Sequence, residues 1–173
     1  MTQDEPPVPA YLKDFAKVLK EKGARAYLDA APSPMLVLLG LARQLRDGPT
    51  GEKTTVATSL NEELEASALV GRVFFVAKAV AGSPGPVSLG RTSETDVHIP
   101  EYSISKRHCE ILRRESGWAI RDTGSTNGTE LDGEKLVSGL EAPLVGGETL
   151  VLGRFAFRFD TPQTLLERLR ARD

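Results

Sequence analysis

The sequence predicts a mainly β protein, an antiparallel β-sandwich with a helical N-terminal extension and a short C-terminal helix. From about residue 69 onward, short β-branched or aromatic runs alternate with clusters of Gly, Pro, Ser and Asp, and no helical pattern lies between them. Phe155, Phe157 and Phe159 occupy every second position, which is the period of a half-buried strand. Residues 10–22 place their apolar residues at helical spacing instead, so the two parts of the chain have different architectures.

The N-terminal extension contains two apolar segments. Residues 10–22 place apolar side chains on one helical face and lysines elsewhere, and we predict an amphipathic helix that stops at Gly23. Residues 34–47 begin with proline after a serine N-cap and predict a second helix, although their apolar half also fits a buried strand. Residues 48–66 are small and polar and predict a linker. The helices have three open roles: packing on the sandwich, pairing between subunits or docking another protein. Burial of their apolar faces favours packing.

The C-terminal segment begins with Thr161 and Pro162, a pair typical of a helix start. The predicted division of the chain is a helical extension and linker over residues 1–66, a sandwich over residues 67–161 and a helix over residues 162–173.

Composition excludes several function classes. A formal net charge of −2 argues against nucleic-acid and anionic-membrane partners. The single cysteine, Cys109, excludes an internal disulfide, and with His98 and His108 it forms no spacing typical of a metal site, so we predict neither metal nor cofactor. The acidic, Pro-rich start does not resemble a signal peptide, and the longest apolar run is too short to span a membrane, so we predict a cytoplasmic protein.

Three polar clusters follow predicted strands, at the junctions where sandwiches carry their binding sites. They are "LGRTSE" at 89–94, "SISKRHCEI" at 103–111 and "GSTNGT" at 124–129. Such a set of donors suits an oxyanion, and a phosphoryl group, with about −1.5 to −2 charge and three acceptor oxygens, fits it better than a carboxylate does. The candidate donors are the guanidinium of Arg91, the hydroxyls of Ser105 and Thr126, the amide of Asn127 and the ammonium of Lys106.

The three clusters in this order, "GR", "SISKRH" and "STNGT", resemble the forkhead-associated (FHA) domain family over roughly residues 68–160. Members of that family are β-sandwiches that bind phosphothreonine peptides through loops at one end. The resemblance therefore implies a non-enzymatic signalling module whose partners are phosphothreonine-containing proteins, including a Ser/Thr kinase or its substrates. Oligomeric state does not follow from it.

The resemblance also implies roles for the ligand-facing residues. Arg91 and Ser105 would hold the phosphate, with Thr126 and Lys106 lining the site. Asn127 would hydrogen-bond the peptide backbone and set its direction.

Three further residues are implied to support the site without touching the ligand. They are Gly90, Gly128 and His108, the last of which would hold loops together from within. In addition, Thr54 and Thr55 are candidate phospho-acceptors, because some small bacterial FHA proteins carry a kinase-targeted Thr-Thr pair in an N-terminal tail that then occupies their own domain.

Two other functions stay open at this point. A sandwich that has lost phosphate binding would serve as a scaffold or interaction protein. Ser105, His108 and Asp122 superficially supply a nucleophile, a base and an orienting acid, but the serine lacks a G-x-S-x-G context and we do not expect hydrolysis.

Overall fold

The computed structural model describes residues 10–43 and 67–172, which fold into a β-sandwich covered on one outer face by two helices. The helices are α1, Leu12–Ala30, and α2, Pro162–Arg170. The strands are β1 Met35–Leu41, β2 Val73–Phe75, β3 Val87–Gly90, β4 Val97–His98, β5 Cys109–Arg114, β6 Gly117–Asp122, β7 Thr129–Leu131, β8 Glu134–Lys135, β9 Glu141–Leu144, β10 Thr149–Leu152 and β11 Phe155–Asp160. The predicted fold class is therefore confirmed.

The strands form two sheets. One has six strands in the order β2-β1-β11-β10-β7-β8, and the other has five in the order β4-β3-β5-β6-β9. Neighbouring strands pair antiparallel, except β3 and β4, which are parallel. The apolar inner faces of both sheets meet in one core, which includes Leu36, Ile111, Ile120 and Phe157.

The predicted helix over residues 34–47 is wrong over Met35–Leu41, where the buried strand left open as an alternative is what forms. Strand β1 pairs with β11 on one side and β2 on the other, within the six-stranded sheet. Leu36 and Leu38 enter the core between the sheets, whereas Met35 and Val37 face the helices. Because both faces of β1 are buried, its sequence is apolar throughout and shows no period of two. The sandwich therefore includes a strand from the predicted extension.

The helical layer packs on the outer face of the six-stranded sheet. Phe15 and Tyr27 of α1 form a second core with Leu165 and Leu169 of α2 and with Met35 of β1. The Tyr27 hydroxyl donates to the carbonyl of Pro162 at 2.8 Å, which joins the two helices. Packing on the sandwich, the role favoured from sequence, is therefore confirmed for α1.

The ends of the helices follow their sequence signals. Gly23 has a φ of 81°, which interrupts α1, as the predicted stop requires, but the chain resumes a helical course to Ala30. Thr161 caps α2 by accepting from the backbone N–H of Thr164 at 3.2 Å, and Pro162 occupies the first turn.

No helix within the described residues combines the length and apolar character needed to cross a bilayer.

Candidate functional site

Three loops meet at one end of the sandwich: residues 91–96, 99–108 and 123–128. Hydrogen bonds join them directly. The backbone N–H of Arg91 donates to the carbonyl of Ser105 at 3.0 Å, and the N–H of Thr126 donates to the Ser105 hydroxyl at 2.9 Å. The structure thus brings together the three clusters that are well separated in the sequence.

Arg91 is exposed and its side chain is oriented from its base. Its Nε donates to the carbonyl of Ile104 at 3.0 Å. The two terminal nitrogens make no hydrogen bond or ion pair with any described residue, so the planar fork of donors is open to a ligand.

Ser105, Thr126 and Asn127 lie in the two loops that are joined to Arg91 through the carbonyl and hydroxyl of Ser105. The Ser105 oxygen accepts from the Thr126 N–H, which leaves the serine proton available for a ligand. The Asn127 side-chain nitrogen donates to the carbonyl of Ser103 at 2.8 Å, and within the described ranges its amide oxygen has no hydrogen-bond partner. An amide held at one end can bind a peptide backbone with the other.

Lys106 lies in the loop next to Ser105 with an exposed side chain. Its carbonyl oxygen accepts from the Thr92 hydroxyl at 3.3 Å. The ammonium has no partner among the described residues, so Lys106 contributes positive charge at this end of the molecule but is not tied to the other donors.

His108 is fully buried and joins two of the loops. Its Nδ1 accepts from the N–H of Ser105 at 3.1 Å, so Nε2 carries the ring proton and donates to the carbonyl of Gly128 at 3.0 Å. Burial lowers the pKa of His108, and the hydrogen bond to Gly128 opposes that shift only in part. The neutral ring is therefore a structural link between residues 99–108, here called the serine loop, and residues 123–128, here called the asparagine loop.

The two glycines occupy positions where a side chain would be unfavourable, Gly90 because of a backbone contact and Gly128 because of its positive φ. A Cβ at Gly90 would lie 2.1 Å from the carbonyl oxygen of Lys106, so only glycine lets β3 and the serine loop approach this closely. Gly128 has a φ of +79°, and a Cβ there would lie 2.5 Å from Cε of Lys135.

Asp122 organises the asparagine loop, a role that the sequence reasoning missed. It is buried at the end of β6, where one carboxylate oxygen accepts from the N–H groups of Gly124 (2.9 Å) and Ser125 (3.1 Å). The other accepts from the hydroxyls of Ser125 (2.5 Å) and Thr129 (2.7 Å). Burial opposes ionisation, but these hydrogen bonds outweigh it and lower the pKa of Asp122 to about 2. An aspartate followed by Gly and Ser is the available sequence signal, because its side chain readily bonds backbone N–H groups that follow it.

A catalytic triad is not assembled from Ser105, His108 and Asp122. The His108 ring bonds the backbone N–H of Ser105 and not its hydroxyl, and its other nitrogen bonds Gly128. The Asp122 carboxylate bonds its own loop. These hydrogen bonds hold the loops in place, and none of them links the Ser105 hydroxyl to the His108 ring.

Lys135 is a further residue at this end that sequence reasoning missed. Its side chain lies against Gly128, which places another ammonium beside the turn that carries Asn127. No local pattern in the sequence indicates this, because Lys135 comes from the separate strand β8.

The fold and the donors define a class of protein: a β-sandwich module with hydrogen-bond donors grouped on loops at one end. Residues 87–153 match the sequence profile of the family described as FHA domain. Over these residues, which are less than half of the chain, the sequence is similar to the FHA domain family.

Two relatives and one solved structure show the same similarity. The chain is 34% identical over 74 residues to the FHA domain-containing protein FhaB of Mycobacterium tuberculosis, a match that covers 43% of this chain and 46% of FhaB. It is 30% identical over 108 residues to the ABC transporter ATP-binding/permease protein Rv1747 of the same species, covering 62% of this chain and 11% of the transporter. The FHA domain of an Arabidopsis thaliana hypothetical protein superposes with a TM-score of 0.50 at 20% identity, covering 75% of this chain and 85% of that one. This last likeness concerns the fold alone.

Proposed function

We propose that this protein is a non-enzymatic module that binds phosphothreonine-containing proteins in signalling by Ser/Thr kinases. The observation that carries the proposal is that hydrogen bonds at Ser103 and Ser105 join the loops that carry Arg91, Ser105 and Asn127. Arginine and hydroxyl donors form short, charge-assisted hydrogen bonds with a phosphate dianion.

The site binds the backbone of a peptide as well as a phosphate group. Arg91 and Ser105 bind the phosphate oxygens, and Thr126 and Lys106 line the same anion site. The open amide oxygen of Asn127 accepts from a backbone N–H of the ligand, which fixes the direction of the peptide. FhaB, which this chain resembles over its FHA domain, supports the proposal through its family membership.

Binding is tested with a degenerate phosphothreonine peptide library, followed by calorimetric titration of a selected peptide. The same peptide is also prepared with phosphoserine and with unmodified threonine. We expect binding of the phosphothreonine form, weaker binding of phosphoserine, and none of unmodified threonine. A wild-type protein that binds no phosphopeptide would favour the scaffold function in place of this one.

Arg91→Ala is the decisive variant. Loss of a charge-assisted contact to a bound dianion should cost about 2–5 kcal/mol of binding free energy. Arg113→Ala is the matched control, because Arg113 is also exposed but lies near the opposite end of β5, where its guanidinium stacks 5.0 Å from the Trp118 ring centre. Both variants should melt close to wild type. Equal phosphopeptide affinity of Arg91→Ala and Arg113→Ala would refute the site.

A further inference from the structure

Two exposed aliphatic side chains lie next to the loop that carries Asn127. Val137 is 66% exposed and Leu140 is 62% exposed. The N–H of Leu140 donates to the carbonyl of Val137 at 3.1 Å, and Gly139 between them has a φ of +84°. This is a tight turn of type II, whose first and last Cα atoms lie within about 7 Å. Residues 137–140 are here called the 137–140 turn. The side chains of Val137 and Leu140, its first and last residues, form its apolar patch.

The 137–140 turn is fixed to the end of β6, where the asparagine loop begins. The N–H of Gly139 donates to the carbonyl of Asp122 at 2.9 Å. Just before the turn, the N–H of Leu136 donates to the carbonyl of Thr129, where the asparagine loop ends, at 2.9 Å. The apolar patch thus lies on the binding end of the sandwich, beside residues 123–128.

The composition of the turn is unusual for its position. Exposed turns are generally made of Gly, Pro, Asn, Asp and Ser, because these residues satisfy turn backbones and remain well hydrated. Ser138 and Gly139 fit that rule, whereas the flanking Val137 and Leu140 each leave a branched aliphatic side chain in water. Neither side chain belongs to the hydrophobic cores of the described chain. They are not needed to pack this turn.

We propose that the 137–140 turn is a second contact surface for the phosphothreonine partner, where it binds an aliphatic side chain outside the immediate neighbours of the phosphothreonine. The inference rests on the proposed function and extends it to partner choice. Continuity carries the assignment, because backbone hydrogen bonds tie the segment 136–139 to both ends of the loop that carries Asn127, at Asp122 and at Thr129. Six extended residues reach about 20 Å, enough for one peptide to contact both surfaces.

The test uses a phosphothreonine peptide library with six randomised positions on each side of the phosphothreonine. Wild-type protein should select Val, Ile, Leu or Met at one position away from it. Val137→Thr combined with Leu140→Asn keeps the shape of both side chains but removes their apolar character. This double variant should lose the selection and bind the selected peptide about tenfold more weakly, while it binds a short peptide of phosphothreonine flanked by two alanines on each side with wild-type affinity.

Val145→Thr is the control, since Val145 is 75% exposed but lies in the turn between β9 and β10, at the other end of β9. It should keep the wild-type selection. Selection that is identical in the double variant and wild type would overturn the proposal. A wild-type dimer that the double variant converts to monomer, with selection unchanged, would also overturn it and assign the patch to self-association. Failure of wild type to bind even the short phosphopeptide would instead reject the proposed function, and this inference with it.

Discussion

Replacing Asp122 with asparagine should destabilise the protein by about 2–3 kcal/mol at pH 7 and leave its backbone course unchanged. Asparagine has the shape of the neutral acid and can still satisfy the loop donors, with its oxygen toward the N–H groups of Gly124 and Ser125 and its amide toward the two hydroxyls. What it lacks is the negative charge. The pKa of Asp122 is lowered from an ordinary value near 4 to about 2, and each pKa unit corresponds to about 1.4 kcal/mol.

The same shift predicts how the effect depends on pH. Because the folded pKa of Asp122 is the lower one, the unfolded chain takes up a proton first as pH falls, and stability declines between about pH 5 and pH 2. The advantage of wild type over Asp122→Asn should therefore be complete at pH 7 and reduced by about 1 kcal/mol at pH 3. Other carboxylates titrate in both proteins and cancel in the difference.

Urea denaturation of both proteins at pH 7, 5 and 3 measures this difference. Asp132→Asn is the matched control at pH 7, since Asp132 is exposed and accepts a single backbone hydrogen bond, from Thr149 at 2.8 Å. It should cost no more than about 1 kcal/mol. A difference between wild type and Asp122→Asn that stays constant across this pH range would refute the assignment of the stabilisation to the buried charge.

Three further predictions concern the links around the site. His108→Ala should lower the free energy of unfolding by about 1–3 kcal/mol, because it leaves two backbone groups unpaired. Since burial lowers the pKa of His108 in the folded protein, the stability of wild type that depends on neutral His108 should fall as pH drops below about 6.5. A variant that melts like wild type but does not bind would make His108 a ligand contact. Gly90→Ala should lower the melting temperature, because its Cβ would overlap the Lys106 carbonyl, and an unchanged melting temperature would contradict that packing. Phosphorylation of Thr54 or Thr55 by a Ser/Thr kinase should weaken binding of an external phosphothreonine peptide, since a tethered ligand acts at about millimolar concentration; equal affinity of modified and unmodified protein would end that idea. Both threonines lie outside the residues that the structure describes.

The grouping of the candidate donors was predictable to the extent that their chemistry lies in short motifs, and their binding of an oxyanion stays a prediction. Arg91, Ser105 and Asn127 each follow a recognisable strand-to-loop junction, and donors of this kind indicate an oxyanion wherever they converge. Asp122 and Lys135 were missed for different reasons. The role of Asp122 depends on hydrogen bonds from its own loop, which sequence indicates only weakly, whereas Lys135 reaches the site from another strand.

The sequence by itself determined the class of fold, the two helices at Leu12–Ala30 and Pro162–Arg170 in their main extent, and the identity of the donors. These features are local: side-chain period, capping residues and turn residues act over a few positions. Only the tertiary structure decided that β1 is a strand, because its apolar run is buried between a core and a helical layer and fits either conformation when considered alone. It also decided that His108 joins two loops and that the 137–140 turn lies beside the asparagine loop, since both depend on hydrogen bonds between residues far apart in the chain.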